Sequence, residues 1–147
     1  MSLLELRHVS KAYNEKVLAL DDVNLKVEKG EWLAVMGPSG SGKSTLMNII
    51  GCMDSATSGE VILDGEVLTD AAPEELTRYR RDKIGIVFQQ FHMIPYLTAV
   101  ENIMVAQYYH SMPDRDEAMA ALARVGLADR ASHLPSQLSG GEQQRVC

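Results

Sequence analysis

The sequence has 147 residues, 46% of them hydrophobic, which is enough for one globular domain with its own core. The net charge is −6, whereas proteins that bind double-stranded nucleic acid usually carry a positively charged surface, so nucleic acid is not an expected partner. Cys52 and Cys147 form no metal or redox spacing, which favours a reduced, cytoplasmic protein. The N-terminus is not typical of a signal peptide, and no apolar run approaches the ~18–20 residues of a membrane span. We therefore expect contact with a membrane only through partners.

The first third of the chain is predicted to begin with strands. Residues 3–9 mix apolar and polar positions, and residues 22–28 alternate strictly, which indicates a half-buried strand. Residues 32–36 are continuously apolar and few, which predicts a strand buried on both faces. A glycine-rich loop follows this strand, and a helix is predicted over residues 44–50.

Further strands and a polar helix are predicted in the middle of the chain. Residues 61–68 indicate a hairpin around the Asp64-Gly65 turn. Pro73 stands at a natural first position for a helix that continues to Arg81. Residues 84–88 form a second short apolar stretch and are predicted to be a strand.

The remainder is predicted to be helical. Thr98, Asp114 and Ser139 each precede an acidic residue three positions later, which is the capping-box pattern of a helix start. The first of these helices is predicted to run to about Tyr108, and the second to close near Gly126.

The glycine-rich loop carries the chemistry, because Gly37, Gly42, Lys43 and Ser44 meet the pattern G-x-x-x-x-G-K-[ST]. Glycines let backbone N–H groups turn inward as an anion nest, and the following helix points its positive end at the same place. Lys43 can reach the β- and γ-phosphates, so it is predicted to be a catalytic residue as well as a binding residue. Ser44 can ligate Mg²⁺, and Thr45 can touch the α-phosphate. A chance match is disfavoured, since a predicted strand precedes the loop and a helix follows it. The predicted binding residues for ATP with Mg²⁺ are Gly37, Pro38, Ser39, Gly40, Ser41, Gly42, Lys43, Ser44 and Thr45.

Residues 37–46 resemble the ATP-binding subunits of ABC transporters. The resemblance implies that Tyr13 stacks on adenine, which an aromatic face can do without reading the edge of the base. The alternative is a tyrosine that only packs on the first hairpin. Gln89, at the end of residues 87–89, resembles the glutamine of the family's Q-loop. This implies a catalytic role in which it joins Mg²⁺ or positions the attacking water, whereas the alternative is a polar strand end.

Residues 138–145 look like the ABC signature. The resemblance implies that Ser139, Gly140 and Gly141 begin a helix whose N-terminus faces the γ-phosphate held by a second subunit. As in the first loop, the positive end of a helix dipole and its free N–H groups would attract the phosphate. The alternative is an ordinary serine cap beside two glycines. Glu142 departs from the commonest family pattern, which has glutamine. Its carboxylate supports the cap but brings negative charge near a phosphate site.

The resemblance implies an α/β fold, with a P-loop NTPase core whose sheet is incomplete, an antiparallel β-subdomain and a helical ABC subdomain. Residues 1–147 then form the N-terminal part of one ABC ATP-binding domain. About 1–89 hold the β-subdomain and P-loop core, and about 90–147 hold the helical subdomain and the signature. In the family, the hydrolytic carboxylates and a histidine come after the signature. Asp64 and His133 precede it, so we expect a fragment that lacks the hydrolytic groups.

The leading functional hypothesis is an ATP-binding subunit that couples ATP binding and hydrolysis to export or lipoprotein release through a membrane partner. Residues 35–54 and 125–130 are similar to the lipoprotein-release and macrolide-export branch. The expected partners are a second copy of the subunit and an integral membrane permease, which would hold the protein on the inner face of the membrane. Two alternatives stay open: a regulatory nucleotide-binding fragment without turnover, and a soluble ABC ATPase tied to no transporter.

Overall fold

The structure is a computed structural model that describes residues 2–14, 16–109 and 111–147. It divides into two compact units, the first ending at Ile84 and the second running from Gly85 to Cys147. The glycine-rich loop of residues 37–44, hereafter the P-loop, lies in the first unit. The signature segment, residues 138–145, lies in the second.

A four-stranded antiparallel sheet forms the frame of the first unit. Its strands are β1 (Ser2–Asn14), β2 (Val17–Glu28), β3 (Ser58–Leu63) and β4 (Glu66–Val67). They lie in the order β2-β1-β3-β4. In β2, Val23, Leu25 and Val27 are half-buried while the residues between them are exposed. The predicted alternation over residues 22–28 is therefore confirmed.

The turn between β3 and β4 confirms the predicted hairpin. Asp64 and Gly65 have φ angles of 51° and 85°, the two positive values that a tight two-residue hairpin turn requires. Leu63 then pairs with Glu66 across the hairpin.

Two helices complete the first unit, α1 (Lys43–Ile50) and α2 (Pro73–Lys83), and both were predicted. Leu46 and Ile49 of α1 are buried against the sheet, so the helix that follows the P-loop is anchored by its apolar face. Tyr79 of α2 packs in a smaller cluster beyond the end of α1. The sheet residues of the main core are Leu4, Leu6, Val9, Leu20 and Val61.

The two predicted apolar strands at 32–36 and 84–88 are wrong. Both segments lack regular secondary structure, and Trp32 and Met36 are 98% and 88% exposed instead of buried. A strand forms only where its backbone hydrogen-bonds to a neighbouring strand, and an apolar sequence does not specify that neighbour. Among the described residues, the sheet contains only β1 to β4, and neither segment pairs with it.

The second unit is a small helical assembly. Its helices are α3 (Ala99–Tyr108), α4 (Arg115–Arg124) and α5 (Gly140–Val146), with short 3₁₀ helices at Ala128–Arg130 and Pro135–Gln137. The core lies between α3, α4 and the segment that leads to α5, with Val100, Leu122 and Leu127 at most 2% exposed. Over the described ranges, none of the helices has the length and apolarity needed to cross a membrane.

The helix starts follow the sequence, with one difference. Thr98 and Ser139 form reciprocal capping boxes with the acidic residues three positions later, as predicted. Asp114 caps α4 by accepting from the backbone N–H groups of Asp116 and Glu117. Its own N–H donates to Gln107 Oε1 at 3.1 Å, so a side chain from α3 takes the place of the predicted return bond.

The end of α4 near Gly126 is confirmed. Gly126 has φ 73°, and its N–H donates to the Ala123 carbonyl. The N–H of Leu127 reaches back to the Leu122 carbonyl at 2.8 Å, and both leucines are buried together. This arrangement closes a helix with hydrogen bonds and an apolar contact at once.

Candidate nucleotide-binding site

The P-loop forms a concave cradle before α1. Gly40 and Gly42 have φ angles of 80° and 84°, in the left-handed region that favours glycine. A Cβ at Gly42 would lie 2.4 Å from the Ala19 carbonyl oxygen, so any larger residue would have to push β2 away. The cradle encloses about 460 Å³ and is lined by Ser39, Gly40, Ser41, Gly42, Lys43, Ser44 and Thr45.

Lys43 closes over the cradle. Its Nζ donates to the carbonyl oxygens of Gly37 and Pro38 at 2.8 and 2.7 Å, and to Ser41 Oγ at 3.3 Å. Charged phosphate oxygens are stronger acceptors than neutral carbonyls, so an anion entering the cradle would draw this ammonium onto itself. The first turn of α1 carries no acidic side chain that would repel such an anion. A polyphosphate therefore fits the residues that are present.

Hydroxyl oxygens are the groups available for a metal ion at the cradle. Ser44 is exposed, whereas Thr45 is 9% exposed. In the described part of the chain, no group of three or more His, Cys, Asp or Glu residues could hold a metal ion. Mg²⁺ commonly takes few protein ligands and completes its shell with water and substrate phosphates. Ser44 suits that kind of site.

Tyr13 stands on β1 beside the first turn of α1. Its side chain is 52% exposed, and its hydroxyl lies 3.4 Å from Thr45 Oγ1. An aromatic ring thus lies next to the cradle, with much of its surface accessible to a flat ligand.

Lys11 and Asp54 adjoin Tyr13, and neither was predicted as a site residue. Lys11 Nζ donates to Asp54 Oδ1 at 2.6 Å and lies 5.2 Å from the centre of the Tyr13 ring. The hydrogen bond from Lys11 is the main reason why the pKa of the Asp54 carboxyl lies below its ordinary value. The two-residue spacing of Lys11 and Tyr13 was the available signal, because it puts both side chains on one face of a strand.

Gln89 lies in the second unit, where its side chain is exposed. The residue before it is tied to α5, because Gln144 Nε2 donates to the Phe88 carbonyl at 3.2 Å. The second unit therefore brings the predicted Q-loop glutamine and the signature helix together in one body.

The signature segment is stabilised by its own side chains. The Ser139 N–H donates to Glu142 Oε2 at 2.7 Å, and the Glu142 N–H returns a bond to Ser139 Oγ. Hydrogen bonding to the carboxylate by the Ser139 backbone N–H first, and then by the Ser139 side chain, lowers the pKa of Glu142, and Arg130 adds to the effect from 3.5 Å. The carboxylate that departs from the family pattern is thus directed to its own cap and to Arg130. Gly140 and Gly141 remain exposed.

Gln143 fixes the approach to this helix, and sequence reasoning did not single it out. Its Nε2 donates to the carbonyls of Pro135 and Leu138, at 2.9 and 3.1 Å. The side chain therefore ties the turn before Ser139 to the helix after it.

Most of the chain matches a known protein family. The profile of the family described as "ABC transporter" matches residues 20–147. The chain is 47% identical to the macrolide export ATP-binding/permease protein MacB of Burkholderia pseudomallei, over 98% of this chain and 23% of the relative. It is 48% identical to the ABC transporter ATP-binding protein MJ0796 of Methanocaldococcus jannaschii, over 98% of this chain and 66% of the relative. The chain thus spans about a quarter of the first relative and just under two thirds of the second.

A solved structure gives the same result for the fold. The dimeric structure of MJ0796 in a post-hydrolysis state, bound to ADP and Pi, matches with a TM-score of 0.86 and 46% identity. The match covers 97% of this chain and 66% of that one. It confirms the predicted α/β P-loop class.

Proposed function

Because the chain belongs to the ABC transporter family, we propose that it binds ATP with Mg²⁺ as the ATP-binding subunit of an exporter. The observation that carries the proposal is the cradle closed by Lys43, whose ammonium is held by two loop carbonyls until a stronger acceptor arrives. The cradle lies directly before a helix anchored in the core by Leu46 and Ile49, so its position is fixed by the fold.

Each residue of the cradle has a role in this proposal. Lys43 leaves the loop carbonyls and binds the β- and γ-phosphates, while the loop N–H groups bind the remaining phosphate oxygens. The Ser44 hydroxyl holds the metal ion, Thr45 lies near the α-phosphate, and Tyr13 receives the adenine. When bound, Mg²⁺ supplies positive charge that offsets the phosphate charge during phosphoryl transfer.

Hydrolysis and transport are proposed for the whole protein, by analogy with the relatives. MacB is named as a macrolide exporter, and MJ0796 was solved as a dimer with ADP and Pi. We infer a homodimer in which Gln89 serves hydrolysis and the signature residues Ser139, Gly140, Gly141 and Glu142 face the nucleotide of the other subunit. An integral membrane permease would be the further partner, with the subunit peripheral on the inner face of the membrane.

Calorimetric titration with MgATP tests the binding step. Replacing Lys43 with alanine removes the ammonium that bonds the phosphates, and we expect the Kd for MgATP to rise at least about tenfold, since hydrogen bonds to charged groups contribute ~1.5–3 kcal/mol. Lys83→Ala is the matched control, because it removes an exposed lysine of the same unit that pairs with Asp64. A Lys43→Ala protein that binds MgATP as tightly as the wild type would refute the assignment.

A further inference from the structure

We propose that Lys11 and Asp54 are positioning residues that hold Tyr13 in place for the base of a bound nucleotide. The chain would then distinguish a nucleoside triphosphate from a bare polyphosphate of the same charge. This inference rests on the proposed function, and it adds two residues that act through Tyr13 and not on the phosphates.

Both carboxylate oxygens of Asp54 are engaged. Oδ1 accepts from Lys11 Nζ at 2.6 Å and from the Ser55 N–H at 2.8 Å, and Oδ2 accepts from the Tyr13 hydroxyl at 3.3 Å. Only a carboxylate offers two acceptor oxygens, because an amide replaces one of them with a donor. Asp54 is therefore matched to Lys11 and Tyr13 at the same time.

The Tyr13 hydroxyl links this pair to the P-loop helix. It has one hydrogen, which it donates to Asp54, so its contact with Thr45 at 3.4 Å leaves Thr45 as the donor. A chain of hydrogen bonds thus runs from the first turn of α1 through Tyr13 to Asp54, which follows the end of the same helix. The Tyr13 hydroxyl is therefore hydrogen-bonded to Thr45 in the first turn of α1 and to Asp54 just beyond the last turn.

The ion pair is shielded more than others on the same sheet. The side chains of Lys11 and Asp54 are 13% and 29% exposed, whereas those of Arg7 and Glu60 are 51% and 53% exposed. Shielded pairs are less weakened by salt and by side-chain freedom than exposed ones. Lys11 also donates to the Ser55 carbonyl at 2.7 Å, which fixes its ammonium near the Tyr13 ring.

Tyr13 needs such support because little else restrains it. With 52% of its surface exposed, the ring would sample several rotamers without the network, and nucleotide binding would have to order it. Ordering one side chain on binding costs enough to weaken affinity about three- to tenfold. That loss should appear for ligands with a base and not for ligands without one.

The experiment compares the affinities of the 147-residue chain for MgATP and for magnesium tripolyphosphate. Lys11→Met keeps most of the packing of the lysine stem without the ammonium. Asp54→Asn leaves one acceptor oxygen where Lys11 and Tyr13 need two, and it removes the negative charge. We expect each variant to bind MgATP about three- to tenfold more weakly and tripolyphosphate within twofold of the wild type. Neither should weaken MgATP binding further in a Tyr13→Ala background. Glu60→Gln, which breaks the exposed pair with Arg7, is the control and should change neither affinity.

Other outcomes would overturn the inference. If the two residues acted through charge alone, Lys11→Met would weaken both anions and Asp54→Asn would strengthen both. If they only supported the fold, both ligands would be lost together. If MgATP binding depends on Lys43 but not on Lys11 or Asp54, this inference fails and the proposed function stands. A wild-type chain that does not bind MgATP would refute both.

Discussion

The two glycine-rich motifs lie at the starts of α1 and α5. The two helix starts differ in whether side chains cap their first backbone N–H groups. At α1 the cap residue is Gly42, in the left-handed conformation, and it offers no side chain to cap the first backbone N–H groups of the helix. At α5 the Ser139 hydroxyl and the Glu142 carboxylate close a reciprocal box. The first N–H groups of a helix need partners from somewhere. At the start of α1 these N–H groups have no capping side chain and are open to an anion. At the start of α5 the Ser139 side chain accepts a hydrogen bond from one of them.

This difference separates two motifs that look alike in composition. In the first unit, the proposed anion site is formed by the backbone of the loop, and the Lys43 ammonium is already held beside it. In the second unit, the conformation of the glycines depends on side-chain bonds from Ser139 and Glu142. Substitutions should therefore act on binding in the first motif and on stability in the second.

The largest effect should come from Gly42→Ala. The new Cβ meets the Ala19 carbonyl, and the residue must also keep φ 84°. We expect a loss of about 2–5 kcal/mol in the free energy of unfolding, from backbone strain and overpacking together, and loss of measurable MgATP binding. Denaturant unfolding and calorimetric titration measure the two quantities.

Gly30→Ala is the matched control for this prediction. Gly30 has nearly the same φ, 85°, but no described atom lies within 4 Å of a Cβ placed there. Only the strain of about 1–2 kcal/mol should remain, with MgATP affinity unchanged. Equal effects of the two substitutions would show that the cradle does not depend on the close approach of Gly42 to β2.

A smaller effect is expected for Ser139→Ala. It removes the hydroxyl that accepts from the Glu142 N–H at 3.3 Å, and loss of such a cap costs about 1 kcal/mol of stability. MgATP binding by the isolated chain should not change, because the P-loop belongs to the other unit. Ser136→Ala, an exposed serine of the preceding 3₁₀ helix, is the control. If Ser139→Ala left the free energy of unfolding unchanged, the capping box would not stabilise α5. The proposed difference between the starts of α1 and α5 would then be wrong.

What the sequence predicted correctly was local in origin. The capping boxes at Thr98 and Ser139, the Asp64-Gly65 turn and the alternation in β2 each depend on residues within a few positions of one another. The P-loop helix was predictable for the same reason. In such elements the pattern contains both partners of each interaction.

What it missed depends on partners far away in the chain. The apolar runs at 32–36 and 84–88 needed neighbouring strands, which no local pattern specifies. The return bond at Asp114 was lost to Gln107, a side chain from another helix. The pair of Lys11 with Asp54 joins residues 43 positions apart, so the spacing could suggest Lys11 but not its partner.

The smallest effect concerns the charge on Glu142. Bonds from Ser139, with help from Arg130, hold the pKa of this carboxyl below its ordinary value of 4.5. A lowered folded-state pKa means that the stabilisation is present above the unfolded value and is lost as the pH falls through the folded one. Glu142→Gln should therefore lower stability slightly at pH 7. The difference should shrink as the pH falls below about 4.5 and disappear only below the lower pKa of the folded state. Carbon-detected NMR titration of the side-chain carboxyls measures the pKa directly.

Glu101 provides the internal comparison for this titration. It closes the box at Thr98, and hydrogen bonds from Thr98 lower its pKa in the same direction. Ser139→Ala should raise the pKa of Glu142 and leave that of Glu101 unchanged, because Ser139 bonds only one of the two carboxylates among the described contacts. A Glu142 that titrates at or above 4.5 in the wild type would mean that its carboxylate is not directed to its cap. Its negative charge would then be available to oppose an anion at the signature, whereas the first turn of α1 carries no acidic side chain.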